Sequence, residues 1–129
     1  RGYKQRTSLA GALVGNPEIL ILDEPEINLH PEWQVEYAKA LVELQKIFDL
    51  KFITTSHSPY FMRAIEVFMD KEETMDCLNV YQVSKDEKTG EREVENVMYS
   101  EFGMTELYEQ LSAPLEKIEE LLNEKYGED

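Results

Sequence analysis

"ILILDEPEINLHP", residues 19–31, runs four aliphatic side chains straight into two acids and a turn that closes at Pro31. The run from Glu18 to Leu22 is too short for a helix. It is continuous rather than alternating, which is the pattern of a strand covered on both faces in a parallel sheet. A buried strand ending in Asp23 and Glu24 predicts that two carboxylates are delivered to a working site.

Working outward, residues 3–14 ("YKQRTSLAGALV") read as a helix with Leu9, Ala10 and Leu13 on one face. Gly15, Asn16 and Pro17 end it, because Gly and Asn accept a left-handed cap and Pro cannot continue the helix. Downstream, Pro31 suits the first turn of a second helix. Trp33, Tyr37, Leu41, Leu44 and Phe48 recur there at intervals of three and four, which predicts an amphipathic helix with that stripe inward. "KFITT", residues 51–55, is a second short strand. Ser58 and Pro59 then read as the cap and first residue of a third helix, through about Phe68. Helix alternating with strand is the rhythm of an α/β sheet with parallel strands.

The rhythm changes after residue 70. "CLNVYQV" and "REVENVMY" flank the polar "SKDEKTGE", which predicts a β-hairpin. In the tail, residues 104–126, Leu107, Leu111, Leu115, Ile118 and Leu122 form a stripe among glutamates, and Pro114 is expected to divide it into two helices. Residues 1–70 are therefore read as one part, and residues 71–129, the hairpin plus acidic amphipathic helices, as a second part packed on the same domain.

Composition narrows the function. The 129 residues suffice for one modest domain, and 42% are hydrophobic, enough for a core. No apolar run reaches the roughly 18 residues of a membrane span, and the first residues lack the apolar stretch of a signal peptide. One cysteine, Cys77, cannot form an internal disulfide, which fits a cytoplasmic protein. A zinc site from His30, His57 and Cys77 would want a fourth ligand and lacks ligand spacing. A net charge of −14 argues against gripping nucleic acid through the general field of this segment. The opening at Arg1, with no Met and inside a motif, leads to the expectation of a fragment of a longer protein.

In an open α/β sheet ligands bind beyond the carboxyl ends of the strands. Here one end carries Asp23 and Glu24 and the next carries Ser56 and His57. A strand ending in Asp suits Mg²⁺, which takes hard oxygen ligands and keeps several waters. An adjacent Glu can polarise an attacking water, and a histidine beyond the next strand can reach a γ-phosphate. Such a set works by positioning and charge, which phosphoryl transfer mostly needs.

These residues carry a resemblance. "GYKQRTSLAGALVGNPEILILDEP" resembles the end of the signature motif of ABC-type, AAA-like ATPases, with its helix and the Walker B strand. Gly2, Gln5, Arg6, Asn16, Pro17, Asp23, Glu24 and Pro25 stand at matching spacing. "INLH", residues 27–30, is in the place of the D-loop, and "TTSHSP" resembles the switch-histidine loop. The form "DEPEINLHP", with Glu26, His30 and Pro31, is similar to the OLD-like, RecF/SMC-like branch, which serves DNA repair or anti-phage defence. The resemblance covers residues 2–60 and implies a partial P-loop NTPase sheet. It also implies ATP and Mg²⁺ as ligands in the full-length protein and a head-to-tail homodimer around ATP. Asp23 would serve Mg²⁺, Glu24 the water, and His57 the γ-phosphate. Asn28 would meet the opposite subunit, and Gly2 would belong to the loop that clamps the partner's ATP. DNA or an effector protein would engage regions outside this segment, and no membrane is implied.

Arg1 and His30 depart from the family pattern, and no G-x-x-x-x-G-K-[ST] occurs in the 129 residues. That loop cradles the phosphates, so this segment alone is expected to be inactive. The competing expectation is a non-enzymatic interaction module, its hairpin and acidic helices docking another protein and its Walker B segment a relic. A nuclease fragment of the OLD type is disfavoured by the short stretch that follows the hairpin.

Overall fold

The computed structural model describes residues 18–99 and 103–126; the expected helix over residues 3–14, and Gly2 with it, lie outside them. The chain divides into two units, Arg1–Asp76 and Cys77–Asp129.

In the first unit, β1 (Ile19–Asp23) pairs in parallel with β2 (Lys51–Thr55), Ile19 opposite Lys51 and Asp23 opposite Thr55. Parallel neighbours need a crossover, and α1 (Pro31–Phe48) supplies it. His30 caps α1, its Nδ1 accepting from Glu32 N–H at 3.4 Å, and Asp49 ends it in the left-handed conformation at φ 51°. After β2, α2 (Pro59–Lys71) starts at the Ser58 cap and runs a turn beyond the expected end at Phe68.

The core is built where these helices meet the sheet. Ala38, Leu41, Phe61 and Ala64 are buried together, with Leu22 and Phe52 packed on them from the strands and Val35, Tyr37, Ile65 and Phe68 from the helices. Phe61 is wholly buried, and its ring lies 6.1 Å from that of Tyr37. Burying one such side chain contributes about 1.5–3 kcal/mol.

Two expectations are corrected here. The inward stripe of α1 is rotated: Ala38, Leu41 and Val42 are buried, whereas Trp33 and Phe48 are exposed. Ala38 and Leu41 pack in one buried cluster with Phe61 and Ala64 of α2, and that contact places this face inward. Among the described residues, the sheet is covered on one face rather than two. Leu20 is buried and Leu22 and Phe52 meet the helices, while Ile19, Ile21 and Ile53 on the other face are exposed, Ile21 at 74%.

In the second unit, β3 (Tyr81–Lys85) and β4 (Arg92–Asn96) form the antiparallel hairpin. Asp86 closes its loop, Oδ1 accepting from Lys88 N–H at 2.8 Å, and Gly90 supplies the positive φ of 75° that the turn requires. Ser84 and Lys85 therefore belong to a strand rather than the loop, and residues 97–99 leave the ladder as a single 3₁₀ turn.

The tail is one helix, α3 (Gly103–Tyr126), with Pro114 inside it, not two helices. Proline removes one backbone donor and crowds the preceding turn, but the Leu, Glu and Lys residues on both sides favour helix and carry it through. Of the expected stripe only Leu107 is buried; Leu115, Ile118 and Leu122 are exposed. Among the described residues no helix is long and apolar enough to cross a membrane.

Candidate functional site

The register of the parallel pair decides the site, because it sets Asp23 directly opposite Thr55 at the carboxyl ends of both strands. Thr55 Oγ1 donates to Asp23 Oδ1 at 2.5 Å and accepts from Glu24 N–H at 2.9 Å. One hydroxyl thus uses its donor and an acceptor site together. It ties Asp23 at the end of β1 and Glu24 just beyond it to β2, and takes up one oxygen of the Asp23 carboxylate.

The chain leaves β1 sharply. Glu24 has φ 42° and Asn28 has φ 69°, a left-handed backbone that costs a residue like Glu about 1–2 kcal/mol and Asn less. Two backbone bonds hold the turn, from Ile27 N–H to Glu24 O at 3.1 Å and from Leu29 N–H to Glu26 O at 3.0 Å. This swings the Glu24 side chain toward the loop that follows β2, where His57 Nε2 lies 3.6 Å from Glu24 Oε1. That distance suits an ion pair when the imidazole is protonated and is too long for a hydrogen bond. The His57 side chain is 87% exposed.

Of the expected site residues, Asp23, Glu24 and His57 come together. Asn28 is exposed in the turn, and no hydrogen bond among the described residues joins it to the three. Gly2 lies outside the described residues. His30 is occupied as a helix cap. No group of three or more His, Cys, Asp and Glu side chains among the described residues could hold a metal ion. The donor set does fit Mg²⁺, which needs one carboxylate when waters and phosphate oxygens complete its shell.

Two further groups were given no role at the site from the sequence. Thr55 lies in a β-branched run that reads only as strand, and its role depends on register. Glu26 is buried and accepts from Ser56 Oγ at 2.7 Å. The nearby Tyr37 phenol is pushed above its usual pKa, first by burial and then by the Glu26 charge. In the sequence Glu26 stands only as part of the "DEPEINLHP" form, and nothing in the spacing says that it turns inward.

Residues 5–63 match the family model described as "AAA domain, putative AbiEii toxin, Type IV TA system". This segment is similar in sequence to ABC/AAA-like ATPases. The energy-coupling factor transporter ATP-binding protein EcfA2 of Clostridium perfringens is 45% identical over 56 residues, 43% of this chain and 20% of that protein. The methionine import ATP-binding protein MetN of Carboxydothermus hydrogenoformans is 33% identical over 75 residues, 58% of this chain and 21% of that protein. EcfA1 of Clostridium perfringens is 28% identical over 123 residues, 95% of this chain and 38% of that protein. The chain thus spans from about a fifth to two fifths of the length of these relatives. No solved structure matches it.

Proposed function

We propose that this chain supplies the Walker B and switch-histidine half of an ATP-hydrolysing site, completed in the full-length polypeptide by a phosphate-binding loop. The observation that carries the reading is the Thr55 hydroxyl joining Asp23 to the Glu24 backbone at two paired strand ends, with His57 against Glu24. Asp23 is the Mg²⁺ ligand. When bound, Mg²⁺ neutralises charge on the phosphate oxygens. Glu24 orients the attacking water and accepts its proton. His57 donates to the γ-phosphate and, being beside Glu24, aligns the same water. None of these groups forms a covalent bond to substrate; they act by position and charge. Asn28, exposed on the turn, and Gly2 are assigned to the contact with a second subunit in a head-to-tail dimer around ATP.

The biological setting proposed is DNA repair or phage defence, supported by "DEPEINLHP" and by the toxin system in the family description. The names of the relatives favour a second reading, an ATP-binding subunit of an importer. Stimulation of turnover by DNA supports the first reading; stimulation only by a membrane subunit supports the second.

The test of the site is Glu24→Gln in the full-length polypeptide. Turnover is expected to fall at least about a hundredfold, with ATP still bound. Normal turnover by this variant would falsify the assignment.

A further inference from the structure

Glu26 lies in the turn between β1 and α1 and is 4% exposed, burial that is rare for a carboxylate. Its contacts form a closed circuit. Ser56 Oγ donates to Glu26 Oε1 at 2.7 Å and accepts from Ser58 N–H at 3.0 Å. The Ser58 hydroxyl accepts from Phe61 N–H at 3.3 Å, capping α2, and donates to Gln34 Oε1 on α1. Gln34 Nε2 donates to Leu29 O at 2.9 Å, and Leu29 N–H returns to Glu26 O at 3.0 Å. The circuit joins the turn after β1 to the loop after β2.

His57 stands between Ser56 and Ser58 in the chain, and its own side chain is almost fully exposed. Its location is therefore set by the two serines on either side, both held in the circuit. Glu24 begins the turn on which Glu26 sits. The second Glu26 oxygen, Oε2, is buried with no hydrogen-bond partner among the described residues. A buried carboxylate half satisfied weakens a fold relative to an apolar residue of similar size, so stability does not explain the residue. Its burial also keeps it from touching substrate.

We propose that Glu26 is a positioning residue: through Ser56 it holds the Glu24 turn and the His57 loop at a set separation. This rests on the roles given to Glu24 and His57 above.

The test is steady-state ATP hydrolysis by the full-length polypeptide carrying Glu26→Ala, Glu26→Gln, Ser56→Ala, the double alanine variant, or Glu24→Gln as control. Glu26→Ala and Ser56→Ala are each expected to lower kcat roughly ten- to a hundredfold while KM for ATP stays within about twofold, since misplacement by an ångström has effects of that order. The double variant should be no slower than the worse single variant, because one break opens the circuit. Glu26→Gln keeps an oxygen for the Ser56 hydroxyl and should retain kcat within about threefold. Wild-type kcat in folded Ser56→Ala and Glu26→Ala overturns the proposal. So does a Glu26→Gln variant as inactive as Glu24→Gln, which would make Glu26 a reacting group. If Glu26→Ala does not fold, Ser56→Ala, a smaller change, decides. Full turnover by Glu24→Gln removes the reading of the site itself; a dead Glu24→Gln beside an active Glu26→Ala removes only this inference.

Discussion

Thr55 Oγ1 is 2.5 Å from Asp23 Oδ1, and that bond joins the last residues of two parallel strands. The same oxygen accepts the Glu24 N–H, so one side chain sets the place of both acids. Thr55→Val keeps the shape and β-branching and removes both bonds. Because the residue is exposed, the loss should be about 0.5–1.5 kcal/mol by urea denaturation. Turnover of the full-length polypeptide should fall roughly tenfold or more, and Thr55→Ser should restore most of it. Equal turnover by the Val and wild-type proteins would show that the hydroxyl does not position the acids.

Glu24 has the backbone conformation of a glycine, φ 42°, while its side chain belongs to the site. Glu24→Gly is expected to raise folding stability by up to about 1 kcal/mol while abolishing hydrolysis. Parallel urea titration and an ATPase assay check the two halves separately. A destabilised Gly variant would mean that the Glu24 side chain contributes packing that outweighs the strain.

The Tyr37 phenol is held above its usual pKa by burial and by the Glu26 charge. With the folded value raised, the unfolded chain releases its proton first as the pH climbs. The stability tied to the neutral phenol is complete below about pH 10 and is lost as pH rises from there through the folded-state value. Tyr37→Phe should flatten that alkaline decline, and thermal melts between about pH 8 and 11 read it. Curves that fall in parallel for Phe and Tyr would count against the burial.

Phe61 is wholly buried at the meeting of α1, α2 and the sheet. Phe61→Ala should cost about 3–5 kcal/mol, close to the whole stability of a small unit. Circular dichroism should show loss of cooperative melting in the first unit. A loss under about 1 kcal/mol would mean that the neighbours collapse into the space.

Composition and local pattern were enough to find the strands at both ends of α1, the Pro31 and Pro59 helix starts, and the hairpin around Gly90. Each of these rests on chemistry within a few residues: a cap, a fixed proline φ, a positive-φ glycine. The pairing of a carboxylate strand end with a histidine loop was legible too, because parallel strands must present their carboxyl ends together. Pro114 misled because a proline forbids one hydrogen bond, and the preferences of its neighbours outweigh that single loss.

The sequence by itself determined which residues are available at the two strand ends: Asp23 and Glu24 on one, Thr55, Ser56 and His57 on the other. Only the tertiary structure decided which of them meet. Asp23 faces Thr55 because of a register between strands 32 residues apart. Glu26 turns inward to Ser56 because left-handed residues at Glu24 and Asn28 bend the chain between β1 and α1. Neither local pattern specifies register or the direction of a turn; both are settled by which faces of α1, α2 and the sheet bury together around Phe61.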